Sequence, residues 1–206
     1  MRRVLVSVSG KAGVGKSTTC RYLVRHHLFD GVLSFAGRLR SDLREQYFPD
    51  FDQYADKNAL YTGDAESFLR DIGKPLDTLF TIRQACQWFG AHMRSKDPEY
   101  FVDAMRDQLG SVMGGAFCID DVRYPNELAL AQNPPDTFVP VSVRIKPYDG
   151  HVPEPHCDNS ENSETALDQV PDEAFDVVAT PNFGKPYLLM VAQDIAATVR
   201  RKVASL

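Results

Sequence analysis

A short apolar strand runs straight into a glycine-rich turn and then into a helical stretch, and this succession constrains the chain more than any other feature. Val4-Leu5-Val6-Ser7-Val8 is apolar and β-branched, as a buried strand requires. Gly10-Lys11-Ala12-Gly13-Val14-Gly15-Lys16-Ser17 follows at once and fits G-x-x-x-x-G-K-[ST], the phosphate-cradling P-loop pattern. Glycines at these places let the backbone curl so that successive N–H groups face one anion. The helix that follows, Lys16 to His27, adds its positive end. Gly10, Gly13, Val14 and Gly15 would form the cradle, Lys16 would reach the β- and γ-phosphates, and Ser17 would sit on Mg²⁺. Thr18 is placed for a second phosphate. The chain is expected to bind a nucleoside triphosphate, ATP, with Mg²⁺.

The bulk properties narrow the setting. A length of 206 residues suggests one domain, or one with insertions, able to bury a core without disulfide or metal staples. A net charge of −5 argues against a general nucleic-acid binder. Cys20, Cys86, Cys118 and Cys157 lie far apart with no C-x-x-C spacing and read as reduced thiols of a cytoplasmic protein. No apolar run is long enough to span a membrane. Met1-Arg2-Arg3 lacks the apolar stretch of a signal peptide. His151, His156 and Cys157 have no matching ligand pair elsewhere, so no zinc-type site is expected.

Strand-like and helix-like segments alternate. Strands are expected at Val4 to Ser9, Gly31 to Ala36, Ala116 to Asp120, Val139 to Ile145 and Phe175 to Ala179. Helices are expected at Arg38 to Tyr47, Thr81 to Met93, Glu99 to Leu109, Asn126 to Ala131 and Tyr187 to Val203. Phe48 to Asp77 is polar and broken by Pro49, Gly63, Gly73 and Pro75, and reads as an insertion. Pro147 to Asp172 reads as a loop or lid. The pattern predicts an α/β three-layer sandwich of the P-loop NTPase type, with a mostly parallel sheet covered by helices on both faces. In such sheets ligands sit at the carboxyl ends of the strands. A single domain over 1–206 is expected, with a helical acceptor-binding region near 38–110 and the lid near 146–172.

Several polar groups fall at those ends. Asp120 and Asp121 close an apolar strand, where a carboxylate orients Mg²⁺ or its water; Asp121 can instead orient an acceptor oxygen, or the pair can be a solvated strand end. Arg123 offers a planar fork for phosphate, or a salt bridge to Asp121 or Glu127. Arg83, Gln87 and Gly90 share one helical face, with Arg94 four residues on; two arginines and an amide suit a phosphate and a base edge, or form an exposed polar stripe. Arg38 and Arg40 follow the second strand, and Arg144 and Lys146 end a later one. Phosphoryl transfer needs such positive charge around the transferring oxygens.

With these residues the chain resembles the bacteriophage-type deoxynucleoside monophosphate kinases. The matching stretches are Gly10 to Thr19, Phe35 to Arg40, Arg83 to Arg94, Ile119 to Glu127, Val141 to Pro147, Asn162 to Leu167 and Asp176 to Gly184. The more specific parts are Arg83-x-x-x-Gln87-x-x-Gly90, Asp121-x-Arg123-x-x-x-Glu127, Ser163-Glu164 and Asp176-x-x-x-x-x-Asn182-x-Gly184. Members often carry His where this chain has Glu161. The resemblance implies ATP and Mg²⁺ at Lys16 and Ser17, and a nucleoside monophosphate held by Arg40, Arg83, Gln87 and Arg123; beside these, Asp120 is the candidate for Mg²⁺, partly through water, and Arg38, Arg94 and Glu127 are candidates for the acceptor. It also implies that Asp121 orients acceptor or metal, that Arg144 acts as a lid arginine at the transferring phosphate, and that Asn182 lies near the adenine. A small-molecule nucleotide is the implied partner, and a homodimer is left open. If the chain is phage-encoded, its place is the host cytoplasm.

A second resemblance is local. Ser9 to Thr19 is similar to the deviant P-loop of partition and septum-site ATPases, in which Lys11 would be the lysine that reaches a partner subunit. Ala12 replaces their usual glycine, and Asp121-Val122-Arg123-Tyr124-Pro125 is not their switch segment. A kinase for another small metabolite is the third reading.

Overall fold

The computed structural model describes residues 3–51, 56, 58–148, 162–180 and 185–206. The elements are β1 (Arg3–Ser9), α1 (Lys16–Arg25), β2 (Gly31–Leu33), α2 (Phe35–Gln46), α3 (Glu66–Asp71), α4 (Ile82–Lys96), α5 (Tyr100–Ser111), β3 (Ala116–Val122), α6 (Pro125–Gln132), β4 (Phe138–Ile145), α7 (Asn162–Thr165), β5 (Val177–Ala179) and α8 (Lys185–Ala204). The chain divides into two compact units, one of Met1–Phe35 with Met105–Leu206 and one of Ala36–Ala104.

The larger unit is an α/β sandwich. Its five strands run in the order β2-β3-β1-β4-β5, and every neighbouring pair is parallel. β1 is central, and Val4 through Ser9 are all buried, as a strand covered on both faces must be. Val4, Val6 and Val8 share a core with Val141, Val143 and Ile145 of β4, Cys20 and Leu23 of α1, and Val191, Ala192 and Ile195 of α8. Alternate residues face the other way. Ser142 lies within reach of Gln132 of α6, which covers that second face. The chain leaves β1 for β2, returns to β3 and crosses to β4, so the strand order reverses at β1, where α/β sheets bind ligands.

Two boundaries differ from expectation for long-range reasons. The second strand stops at Leu33, because Asp121 accepts the Phe35 N–H (2.9 Å) and the Ser34 hydroxyl (2.7 Å), which starts α2 at Phe35. The last strand begins at Val177, after Asp176 turns its carboxylate onto the Ser142 N–H (2.8 Å).

The smaller unit is helical and aromatic. Phe48 is fully buried, with ring centroids of Tyr61, Phe68, Phe80 and Phe51 between 4.5 and 6.2 Å away. A Leu60–Thr81 antiparallel bridge closes the segment. The stretch read as a polar insertion therefore carries a hydrophobic core of its own. α4 begins with a capping box: Thr81 accepts the Gln84 N–H, and the Gln84 side chain accepts the Thr81 N–H.

Candidate functional site at the carboxyl ends of the strands

The P-loop joins β1 to α1 in the form its glycines permit. Gly10 has φ 143°, and a Cβ there would lie 2.2 Å from the Ile145 carbonyl oxygen. Gly15 has φ 96°, and a Cβ would strike the Leu188 side chain at 2.7 Å. Both positions need the left-handed region and bare space, so the curl depends on glycine. Gly13 also has positive φ (78°), and Val14 is buried under the turn. The turn therefore keeps glycine at both places, the backbone form in which successive N–H groups could face a phosphate chain.

Lys16 is 7% exposed. Its Nζ donates to the carbonyl oxygens of Gly10 (2.6 Å) and Lys11 (2.7 Å). Burial, helped by the Arg123 charge, lowers its pKa to about 8 against the opposing pull of Glu164, Asp121 and Asp120. Ser17 is half-buried and Thr18 exposed at the first turn of α1. Asp120 and Asp121 sit where β3 slips by one residue: Ser7 pairs with Ile119, but Ser9 pairs with Val122. Such a bulge re-aims consecutive side chains. Ser17 and Asp120 supply the hard oxygens that suit Mg²⁺ alongside phosphate. Among the described residues no group of three or more His, Cys, Asp or Glu could hold a metal alone.

Arg123 extends from the end of β3 to the turn α7. Its Nη1 pairs with Glu164 and donates to the Ser163 carbonyl (3.2 Å). Glu164 also accepts the Ala12 N–H at 2.8 Å. Lys11 donates to the Glu164 carbonyl and to Asp168, both at 2.5 Å. These groups border a cavity of about 430 Å³ that runs from Ser9 and Gly10 past Arg123 to Arg144 and Lys146. Arg144 is tied to the far wall: it donates to the carbonyls of Val170 (2.7 Å) and Leu167 (2.9 Å), pairs with Asp172 and stacks on Phe175. Lys146 beside Asp172 holds that carboxyl below the usual carboxylate range.

Other predicted residues have different surroundings. Glu127 is 1% exposed, and one of its oxygens accepts the N–H groups of Arg123 (2.9 Å) and Tyr124 (3.2 Å). Its carboxylate caps α6 through the Tyr124 N–H. Asp121 spends both oxygens on Ser34 and Phe35, as described above. Arg38, Arg40, Arg83, Gln87 and Arg94 all belong to the smaller unit. Arg38 is held by the buried Asp42 (2.9 Å) and donates to the Tyr100 hydroxyl (3.1 Å), which in turn donates to Asp42. Arg40 is exposed, and Gln87 is half-buried. Arg83 donates to Asn58 (3.2 Å). Arg94 lies over the Phe101 ring (4.6 Å). Gly90 admits Leu39 of α2, which a Cβ would meet at 3.0 Å; that close approach is helix packing. Asn182 lies outside the described residues, as do residues 149–161 of the expected lid. Glu164 and Asp168 join the site through these contacts; the Ser163-Glu164 pair is the sequence signal for the first of them.

Among the described residues no helix is long and apolar enough to cross a membrane. No family model and no curated protein matches the chain. Among solved structures it is similar to a gluconokinase from Sinorhizobium meliloti 1021, at 13% identity over 96% of this chain and 92% of that one, with a TM-score of 0.46. It is also similar to an uncharacterised protein from Eubacterium ventriosum ATCC 27560, at 10% identity over 94% and 98%, with a TM-score of 0.33. With both TM-scores below 0.5, neither likeness bears on what this chain binds.

Proposed function

We propose that the chain is an ATP-dependent phosphotransferase whose acceptor is a (deoxy)nucleoside 5′-monophosphate. The observation that carries the reading is the convergence of the P-loop, Arg123 and Arg144 on one cavity at the carboxyl ends of β1, β3 and β4. Mg·ATP supplies the phosphoryl group, and Mg²⁺ screens its oxygens when held by Ser17 and, partly through water, Asp120. An acceptor phosphate oxygen bonds to the γ-phosphorus as the bridge to the β-phosphate breaks, which leaves ADP and a nucleoside diphosphate. Lys16 exchanges its two carbonyl partners for phosphate oxygens. Arg123 places positive charge where the transferring oxygens gather it. In the smaller unit, Arg83 and Gln87 on one face of α4, with Arg38, Arg40 and Arg94, are the recognition residues of this reading. The expected cytoplasmic location and the supply of deoxynucleotide precursors follow the resemblance to the phage-type kinases.

The test is ADP formation from Mg·ATP across a panel of ribo- and deoxynucleoside monophosphates, including 5-hydroxymethyl pyrimidines. Turnover with one or a few, well above the acceptor-free rate, is the expected result. Turnover only with a sugar acid or another hydroxyl acceptor would keep the phosphotransferase and remove the nucleotide. Slow hydrolysis, equal with every acceptor, would remove both. The partition-type switch is disfavoured by one contact. Lys11, which would have to reach a partner subunit, is bound to Glu164 and Asp168 of its own chain. Lys11→Ala should leave the oligomeric state unchanged with and without ATP, as read by light scattering. ATP-driven dimerisation that Lys11→Ala abolishes would reinstate the switch.

A further inference from the structure

Glu164 is a buried carboxylate with both oxygens engaged by different parts of the site. Its side chain is 4% exposed. One oxygen accepts the Ala12 N–H in the middle of the P-loop; the other meets the Arg123 guanidinium at the end of β3. The two anchors come from segments more than a hundred residues apart in sequence, and one carboxylate spans them. The turn that carries it is fastened independently. Lys11 holds the Glu164 carbonyl and Asp168, and Arg123 also donates to the Ser163 carbonyl. A buried ion pair of this kind is a weak source of net stability, because desolvation offsets much of the attraction. What it supplies is geometry: a guanidinium on a flexible stem gains one fixed position beside the phosphate cradle.

We propose that Glu164 is a positioning residue for phosphoryl transfer, tying the Arg123 guanidinium to the Ala12 amide so that the arginine stands beside the P-loop. The role deepens the phosphotransferase reading and rests on it. Glu164 acts through Arg123, so its contribution exists only while that arginine is present. Ground-state binding of Mg·ATP does not need it, because the cradle glycines and Lys16 hold the nucleotide. A carboxylate this close to a phosphate site also opposes anion binding, so its neutralisation does not weaken the nucleotide complex.

A double-mutant cycle decides the matter, with Glu164→Gln, Arg123→Ala and the pair compared with wild type. Turnover is read with the acceptor found active, and the Kd of Mg·ATP is read separately by calorimetry. Glu164→Gln should lower kcat by about 10- to 100-fold, the size of effect expected from a reacting group misplaced by about an ångström, with the Kd of Mg·ATP unchanged or tighter. In the Arg123→Ala background the same change should cost less than about twofold, because its target is gone. Glu164→Asp keeps the charge on a shorter stem and should recover part of kcat. Equal losses with and without Arg123 would overturn the proposal, as would a loss of Mg·ATP affinity that tracks the loss of kcat. Should Glu164→Gln fail to fold by circular dichroism, Glu164→Asp takes its place in the cycle and is judged by the same comparison. A wild-type chain that turns over no acceptor at all would remove the phosphotransferase reading, and this role with it. Turnover with an additive cycle would remove this role alone.

Discussion

Lys16 carries a measurable charge penalty into the folded state. Its pKa falls from 10.5 to about 8, chiefly through burial, even though two carbonyl oxygens accept its protons. In the unfolded chain the amine keeps its ordinary value. Between the two values the unfolded chain binds more protons than the folded one, so stability rises with pH across that window. Below about pH 8 both states hold the proton and the whole penalty is present; above about pH 10.5 neither does, and it is gone. The full shift corresponds to about 3.4 kcal/mol, of which about 2.5 kcal/mol falls between about pH 7 and pH 10. Lys16→Met keeps the linear stem and removes the charge. The variant's stability relative to wild type should therefore fall by about 2.5 kcal/mol from about pH 7 to pH 10. Other groups titrate in the same range with the opposite sign. The Cys118 thiol and burial push Cys20 up, and burial with Asp71 pushes Tyr47 up to about 12, so both subtract stability as pH rises beyond their unfolded values. They are present in both proteins and cancel in the difference. The measurement is urea unfolding by far-ultraviolet circular dichroism at several pH values. Fluorescence of Trp88, the single tryptophan, reports the smaller unit instead. Wild-type and Lys16→Met stabilities that stay parallel from pH 7 to pH 10 would refute the reasoning, whatever the offset between them.

Three further substitutions probe separate links. Arg123→Ala should lower kcat or raise the acceptor KM by about 100-fold or more while the Kd of Mg·ATP stays within about twofold; unchanged kinetics would remove Arg123 from the mechanism. Gly10→Ala forces a Cβ to 2.2 Å from the Ile145 carbonyl at φ 143°, so it should cost at least about 2 kcal/mol in thermal unfolding and abolish nucleotide binding by calorimetry. A normal Tm with normal binding would refute that account of the P-loop. Phe48→Ala removes the centre of the aromatic cluster and should cost about 3–5 kcal/mol, read by Trp88 fluorescence during urea unfolding; a loss under about 1 kcal/mol would mean that Phe48 does not anchor the smaller unit.

The parallel sheet was legible because its evidence is local. β1, β3 and β4 carry short apolar runs followed by polar ends, and the P-loop fixes what comes after the first of them. The core of the smaller unit was not legible. Phe48, Phe51, Tyr61, Phe68 and Phe80 follow neither a helical nor a strand period, and glycines and prolines between them read as loop. Only their mutual contact makes them a core, and contact between residues tens of positions apart leaves no periodic trace.

The same division runs through the site. Residue type and spacing gave the cradle and the arginines, but they could not say which charges are spent on each other. Asp121 reaches back 87 residues to Ser34 and 86 to Phe35; Arg123 reaches forward 41 to Glu164. A carboxylate two positions before an arginine looks like its natural partner, yet a residue two positions away in a strand points along the same face without meeting it. The β3 slip at Asp120–Asp121 also interrupts the regular alternation of faces, so strand spacing alone does not say where each acid points. The consequence reaches function. Asp121 is engaged by Ser34 and the Phe35 N–H, and Glu127 by the Arg123 and Tyr124 N–H groups, while the placement of Arg123 falls to Glu164.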